Sequence, residues 1–140
     1  MLRVEWVRAD PHSTPSPQPP TNMFNFEKLD TWQEAIAFAD LVYTLARAFP
    51  DQERFGLTTQ LRRASVSISS NIAEGCSRAS PRDYARFLEI AAGSLFEVVS
   101  QATIGRNQGF LTEADDRQLH LAAEKQSRRL SGLRKSLQAH

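Results

Sequence analysis

LTTQLRRASVSISSNIAEGCSRASPRDYAR, running from Leu57 to Arg86, is the stretch whose reading decides the fold. Val66-Ser67-Ile68-Ser69 alternates apolar and polar, as a half-buried strand would. The wider window reads differently. Leu57, Leu61, Ala64, Ile68, Asn71 and Gly75 follow at steps of four and three, a helical seam with a 3.5-residue repeat that Ile72 thickens. No turn residue falls between Leu57 and Ile72, so the spacing predicts one helix from Leu57 to Ser77. Arg63, Ser67, Ser70 and Glu74 share its second, polar stripe. Small serines there allow another helix to come close, with hydroxyls bonded back to the carbonyl four residues earlier.

Asn71 lies on the apolar seam. A buried asparagine costs stability but fixes register, and the expected arrangement is a bond to a neighbouring backbone group. A ligand or catalytic role is the alternative. Gly75 weakens the helix near its end. Ser80-Pro81-Arg82-Asp83 then starts the next one, with Ser80 as N-cap, Pro81 at the first helical position and Asp83 placed for a capping box. A joint this short pairs the two helices antiparallel.

QLRRASVSISSNIAEGCSR followed by SPRDYARFLEIAAGSLFEV resembles the four-helix bundle family of the 23S rRNA intervening-sequence proteins. That family is related to the accessory variability determinant proteins of diversity-generating retroelements. The resemblance rests on Gln60, Leu61, Arg62, Arg63, Ala64, Ser67, Ile68, Asn71, Ile72, Ala73, Glu74, Gly75 and Arg78, then Arg86, Phe87, Leu88, Gly93, Ser94 and Glu97. Asn71-Ile72-Ala73-Glu74-Gly75 is its most specific part, and it extends weakly from Phe24 to the C-terminus. Ser69 stands where the family usually has proline, and Cys76 where it often has an aromatic; both departures act on local packing. The resemblance implies a barrel-shaped homopentamer and an association with rRNA inserts and reverse transcriptases.

The 140 residues suit one domain, and 17 basic against 16 acidic side chains leave net charge silent about nucleic acid. One cysteine excludes an internal disulfide and a multi-cysteine zinc site. Cys76, with no flanking motif, reads as filling a helix end. His12, His120 and His140 show no metal spacing. No apolar run approaches the ~20 residues of a membrane span, and Met1 to Asp10 carries too many charges for a secretory signal, so no membrane is expected and the cytoplasm is the expected compartment. Residues 1–22 hold five of the seven prolines and read as a disordered or extended tail before a bundle domain at 23–140. Met23 is a candidate natural start, and a proline-rich partner ligand is the rival reading of the tail.

The first helix is expected to open at Asp30 or Thr31, with Glu34 completing a capping box for Thr31, and to stop before Pro50. Trp32, Ile36, Ala39, Tyr43 and Ala46 form its seam, joined by Phe38, Leu41 and Val42. The phenylalanines of the loop that follows, Phe49 and Phe55, are expected to cover the end of the bundle. The third helix starts at Pro81, keeps a seam of Tyr84, Leu88, Ala91, Leu95, Val98, Ala102 and Gly105, and ends at a cap on Gly109. Phe87, Ile90, Phe96 and Val99 lie outside that seam, and Gly93-Ser94 permits a close approach at mid-height. The fourth starts after Thr112, with a seam of Leu119, Ala123, Gln126, Leu130, Leu133 and Leu137 and charges ordered to suit the helix dipole. The fold expected is all-α, an antiparallel up-down-up-down four-helix bundle that assembles into a ring-like homo-oligomer. The extra apolar positions on the first and third helices fit oligomerisation; the number five comes from the resemblance alone.

Di-metal bundles need Glu-x-x-His pairs, and this chain has none; nor has it a P-loop or a dinucleotide fingerprint. Glu74, Glu89 and Glu97 are the carboxylates expected nearest the core, with Glu74 paired to Arg78 and Glu89 to Arg86. No nucleophile–base constellation accompanies them, so no catalytic residue, metal or cofactor is assigned and the chain is read as no enzyme. Charge is segregated instead. Six acids face three bases from Met23 to Gln60, while five bases and no acid follow from Lys125 onward. Phosphate contacts are assigned to Arg62, Arg78, Arg82, Arg86, Arg128, Arg129, Arg134 and Lys135, multiplied by the oligomer. Arg63, Asn71, Glu74 and Gly75 are assigned as a structural motif, in which Arg63 and Glu74 meet either within one bundle or across two. The first function class is therefore a non-enzymatic, oligomeric RNA- or DNA-binding adaptor. The second is a protein–protein scaffold, such as an accessory subunit of a reverse transcriptase. A hydrolase using Asn71 and Glu74 is the third.

Overall fold

A computed structural model describes residues 24–138. The proline-rich tail at 1–22 and the start at Met23 lie outside them. Four α-helices pack on one core: α1 Asp30–Ala46, α2 Leu57–Cys76, α3 Pro81–Asn107 and α4 Glu113–Gln138. Short 3-10 turns at Asn25–Lys28 and Asp51–Glu53 precede α1 and α2, and no strand occurs among the described residues. At 1.5 Å per residue α3 and α4 are each about 40 Å long.

The core is the meeting of four apolar faces. Ile68 and Ile72 of α2, Leu88, Leu95 and Val98 of α3, Phe38 and Val42 of α1, and Leu119 and Leu130 of α4 are all buried. Alanines and serines bring the helix axes together: Ala91 and Ala102 have no exposed surface, nor has Ser65. The seams of α3 and α4 lie where the spacing predicts, although Tyr84, Leu133 and Leu137 are only half-buried. By length and composition alone α3 would also span a membrane, which the sequence reading did not anticipate. Its Leu88, Ala91, Leu95, Val98 and Ala102 are buried inside the bundle core, and Glu89 and Glu97 stand on its open side.

Two seams are displaced. In α1 the buried positions are Thr31, Ala35, Phe38, Val42 and Ala46, one residue off the expected stripe, and Trp32, Ile36, Ala39 and Tyr43 are half-buried. α1 is apolar around most of its circumference, so counting apolar positions does not choose its inner face. Small Ala35 and the Thr31 carbonyl, which accepts from Gln126 Nε2 at 3.2 Å, mark that face. The Thr31–Glu34 capping box is not made, because Thr31 lies inside the helix and Leu29 is its N-cap. In α2 Ile72 takes the core position expected of Asn71, which is half-buried. A straight helix turns every 3.6 residues, so its inner face drifts off a 3.5-residue seam within two heptads.

Polar termini are satisfied locally. Ser80 Oγ accepts from Asp83 N at 3.1 Å and Thr112 Oγ1 from Asp115 N at 3.0 Å. Gly109, at φ +82, ends α3: Phe110 N donates to Gly105 O and Gly109 N to Arg106 O, the paired bonds of a Schellman motif. Phe49 and Phe110 pack there with ring centroids 5.4 Å apart. Phe55 does not join them. That end is already filled by Phe49, Phe110 and Leu111, and Phe55 is left 85% exposed.

Candidate nucleic-acid interface

The link between α2 and α3 is shaped by a glycine. A Cβ on Gly75 would sit 2.9 Å from Tyr84 Cδ1 and 3.0 Å from Phe87 Cβ, so the two helices can meet this closely only at a residue with no side chain. Cys76 Sγ lies 3.6 Å from Tyr84 Oη, which fits its expected filling role, and burial raises the Tyr84 hydroxyl above its ordinary pKa. Further along the same contact, Asn71 Nδ2 donates to Ser67 O at 2.7 Å and to Ser67 Oγ at 2.9 Å, and Ser94 Oγ reaches Ser67 Oγ at 2.8 Å. Asn71 thus bonds to a neighbouring backbone carbonyl, as expected, but from a half-buried position; the link from α2 to α3 is the Ser67–Ser94 bond beside it. Of the stripe serines expected to bond four residues back, Ser67 Oγ meets Asn71 and Ser94 instead, while Ser65 and Ser69 bond back to carbonyls three residues earlier.

Around this joint the fold gathers arginines. Arg78 Cζ lies 4.7 Å and Arg86 Cζ 5.5 Å from the Phe87 ring centroid. Arg78 also pairs with Glu74 at 3.0 Å, as expected. Arg82 and Arg86 line a cavity of about 380 Å³ with Pro81, Asp83, Glu89, Leu137 and Gln138, so the start of α3 lies beside the end of α4. Arg134 comes to the same place but pairs with Glu89 at 3.0 Å. The expected Glu89–Arg86 pair is therefore replaced by one between helices, because α4 brings a second guanidinium to Glu89. Glu74, Glu89 and Glu97 are all exposed. Lys135, the next residue of α4 after Arg134, is exposed.

The other assigned bases lie elsewhere. Arg129 is drawn to α1, pairing with Glu34 and with Asp30 at 3.4 Å, and Lys125 pairs with Glu34 at 3.1 Å. Arg128 stands 3.9 Å from Glu124 on its own helix. Arg62 is near the opposite end of α2, its Cζ 5.0 Å from the Tyr43 ring centroid. Arg63 is exposed beside it. Arg63 and Glu74 sit eleven residues apart on one helix, about 16 Å along the axis, so they do not meet within the bundle.

The buried acid is one the sequence did not mark. Asp116 is 4% exposed, 3.4 Å from Arg106 Nη1 and 3.4 Å from His120 Nδ1. Its place in the first turn of α4 suggested only a dipole charge; packing against α3 buries it. Among the described residues no three of His, Cys, Asp and Glu gather as a metal ion would need. Arg82 and Arg86 make no ion pair among the described residues, although Asp83 and Glu89 line the same cavity, which leaves two guanidinium groups at this corner open to an outside anion.

The family model for the 23S rRNA-intervening sequence protein matches residues 27–132. A crystal structure of a protein of unknown function from the S23 ribosomal protein family of Bacteroides thetaiotaomicron is similar in fold, at 20% identity and a TM-score of 0.69. The match covers 75% of this chain and 98% of that one. Comparison with curated proteins finds no match.

Proposed function

Because this chain belongs to the 23S rRNA-intervening sequence protein family, we propose that it is a non-enzymatic, cytoplasmic, oligomeric adaptor that binds RNA or DNA through phosphate contacts. Its consecutive helices run antiparallel, up-down-up-down, and copies assemble as a ring-like homo-oligomer, the pentamer that the resemblance implies. The observation that carries this reading is the α2–α3 corner, where Arg82 and Arg86 make no ion pair beside Arg78 and Arg134, in a cavity that Asp83 and Glu89 also line. Unpaired surface cations keep their full attraction for phosphate, and a ring repeats the patch in every copy. Support for assembly comes from apolar side chains left outside the core: Ile90, Phe96 and Ile104 on α3 and Leu121 on α4.

Fluorescence anisotropy with a mixed RNA and DNA pool tests it. Affinity should fall steeply with salt, with log K changing by about 0.7 to 0.9 per log unit of salt for each phosphate contact. Arg82→Ala with Arg86→Ala should weaken binding and flatten that slope by roughly two contacts. Binding that ignores salt, or that ignores both substitutions, contradicts the reading.

A second reading rests on the cleft between α3 and α4, about 400 Å³ and walled by Leu95, Phe96, Val99 and Ala123, with Phe96 67% exposed. Such a surface suits a polypeptide partner, and the relation to accessory variability determinants makes a reverse transcriptase the candidate. A pull-down after nuclease treatment that recovers no polypeptide removes it.

A further inference from the structure

One arrangement recurs on the surface: a guanidinium lying over an aromatic ring. At the α2–α3 corner it is Arg78 and Arg86 on Phe87. Near the other end of α2 it is Arg62 on Tyr43, and Arg54 Cζ lies 4.7 Å from the Phe55 ring centroid. Phe55, the most exposed of the large apolar side chains, has no packing role to explain it.

On its α1 side Arg62 faces no acid, although Arg63 beside it shares a second cavity with Glu97. The cavity on the α1 side, about 480 Å³, is lined by Tyr43, Thr59, Arg62, Arg63, Val66 and Ser67, with no carboxylate among them. Arg62 Nε is buried and makes no hydrogen bond. Arg62 leans toward α1 and Arg78 toward α3, so the two clusters lie diagonally across α2, about 24 Å apart along its axis. Between them on the open side Val66, Ser70 and Ala73 are small and give the surface little relief, and the one acid there, Glu74, is exposed and held by Arg78.

We propose that this outward face of α2 is a track for an unpaired nucleic-acid strand, with bases stacked at the arginine–aromatic clusters and phosphates against Arg62, Arg63, Arg78 and Arg86. The inference rests on the phosphate-contact reading above and adds the form of the ligand. Guanidinium planes and exposed rings hold bases by their flat faces, which a duplex keeps stacked inside itself. The 24 Å span takes about seven nucleotides at the stacked spacing of 3.4 Å, and fewer when the strand is drawn out. Small side chains along the middle let the strand lie close to the helix.

The test is anisotropy on the full chain with oligo-U of four and of twelve nucleotides and a twelve-base-pair duplex, at one low salt concentration. The twelve-mer should bind at least tenfold tighter than the four-mer and tighter than the duplex. Phe55→Ala, at an exposed position that leaves the core intact, should weaken the twelve-mer about 5- to 100-fold, the loss of one stacked base, with the salt slope unchanged. Equal affinity for duplex and strand, no dependence on length, or no effect of Phe55→Ala overturns the track while leaving phosphate binding standing. No binding of either form removes both. Competition by polyglutamate as effective as by poly-U would assign the face to an acidic polypeptide and overturn the proposal.

Discussion

At one end of the fold Gly75 admits Tyr84 and Phe87; at the other Gly105 admits Phe49, whose Cζ would lie 2.8 Å from an added Cβ. Both contacts use the missing side chain of a glycine to seat an aromatic side chain between helices. They differ in what else those side chains do. Tyr84 lays its ring on Gly75, while Phe87 meets Gly75 through its Cβ and carries Arg78 and Arg86 on its ring. At the far end the work is divided: Phe49 is buried, while Phe55 stays outside under Arg54. Packing and surface chemistry can therefore be separated by mutation at the Phe49 end and not at the Phe87 end.

The largest expected effect breaks the packing half of the divided pair. Phe49→Ala should cost about 3–5 kcal/mol in denaturant unfolding, since it empties the seat between Gly105 and Phe110. Nucleic-acid affinity per folded molecule should not change. Gly75→Ala comes next, at about 1–3 kcal/mol of overpacking, because the added methyl meets Phe87 Cβ, which cannot swing aside. Gly105→Ala should cost less, as it meets only the far end of the Phe49 ring and gains up to ~1 kcal/mol of helix propensity. A larger loss at Gly105 would reverse the ranking of the two ends.

Glu74→Gln sharpens the surface half. The Glu74–Arg78 pair is exposed on both sides, so stability should move by less than about 1 kcal/mol. Binding should strengthen, because Arg78 no longer has a carboxylate to trade for a phosphate. Glu97→Gln, an equal charge change away from that pair, should strengthen it less. The smallest effect concerns Tyr84. Its pKa is raised above 10 by burial, then by Cys76, so the unfolded chain ionises first and stability falls as pH rises past about 10. Tyr84→Phe should remove that alkaline decline in thermal melts and leave stability near pH 7 little altered.

These differences also explain what the sequence could show. Periodicity placed α4 well because it has one apolar stripe opposite a polar one, and α3 because its three-and-four seam runs unbroken from Leu88 to Gly105, even though the apolar Ile90, Phe96 and Ile104 lie outside it. It misplaced the inner face of α1, whose apolar residues ring the helix, so the choice was made by Ala35 and by a carbonyl reserved for Gln126. The 3.5-residue seam put Asn71 in the core, and the drift of a straight helix gave that place to Ile72. Among the assigned bases, spacing marked positive side chains but not their partners. Arg129 and Arg134 are occupied by acids from α1 and α3, neighbours that only the packed helices bring near. Phe55, expected to cover the end of the bundle, is instead exposed under Arg54; a Phe directly after an Arg in a loop is the available signal.

Light scattering of the native protein at low and high salt, with and without the mixed RNA and DNA pool, tests the central claim most directly. The account predicts an oligomer near five chains at both salts that gains mass with nucleic acid only at low salt. A monomer, or an oligomer that gains nothing at low salt, would contradict it.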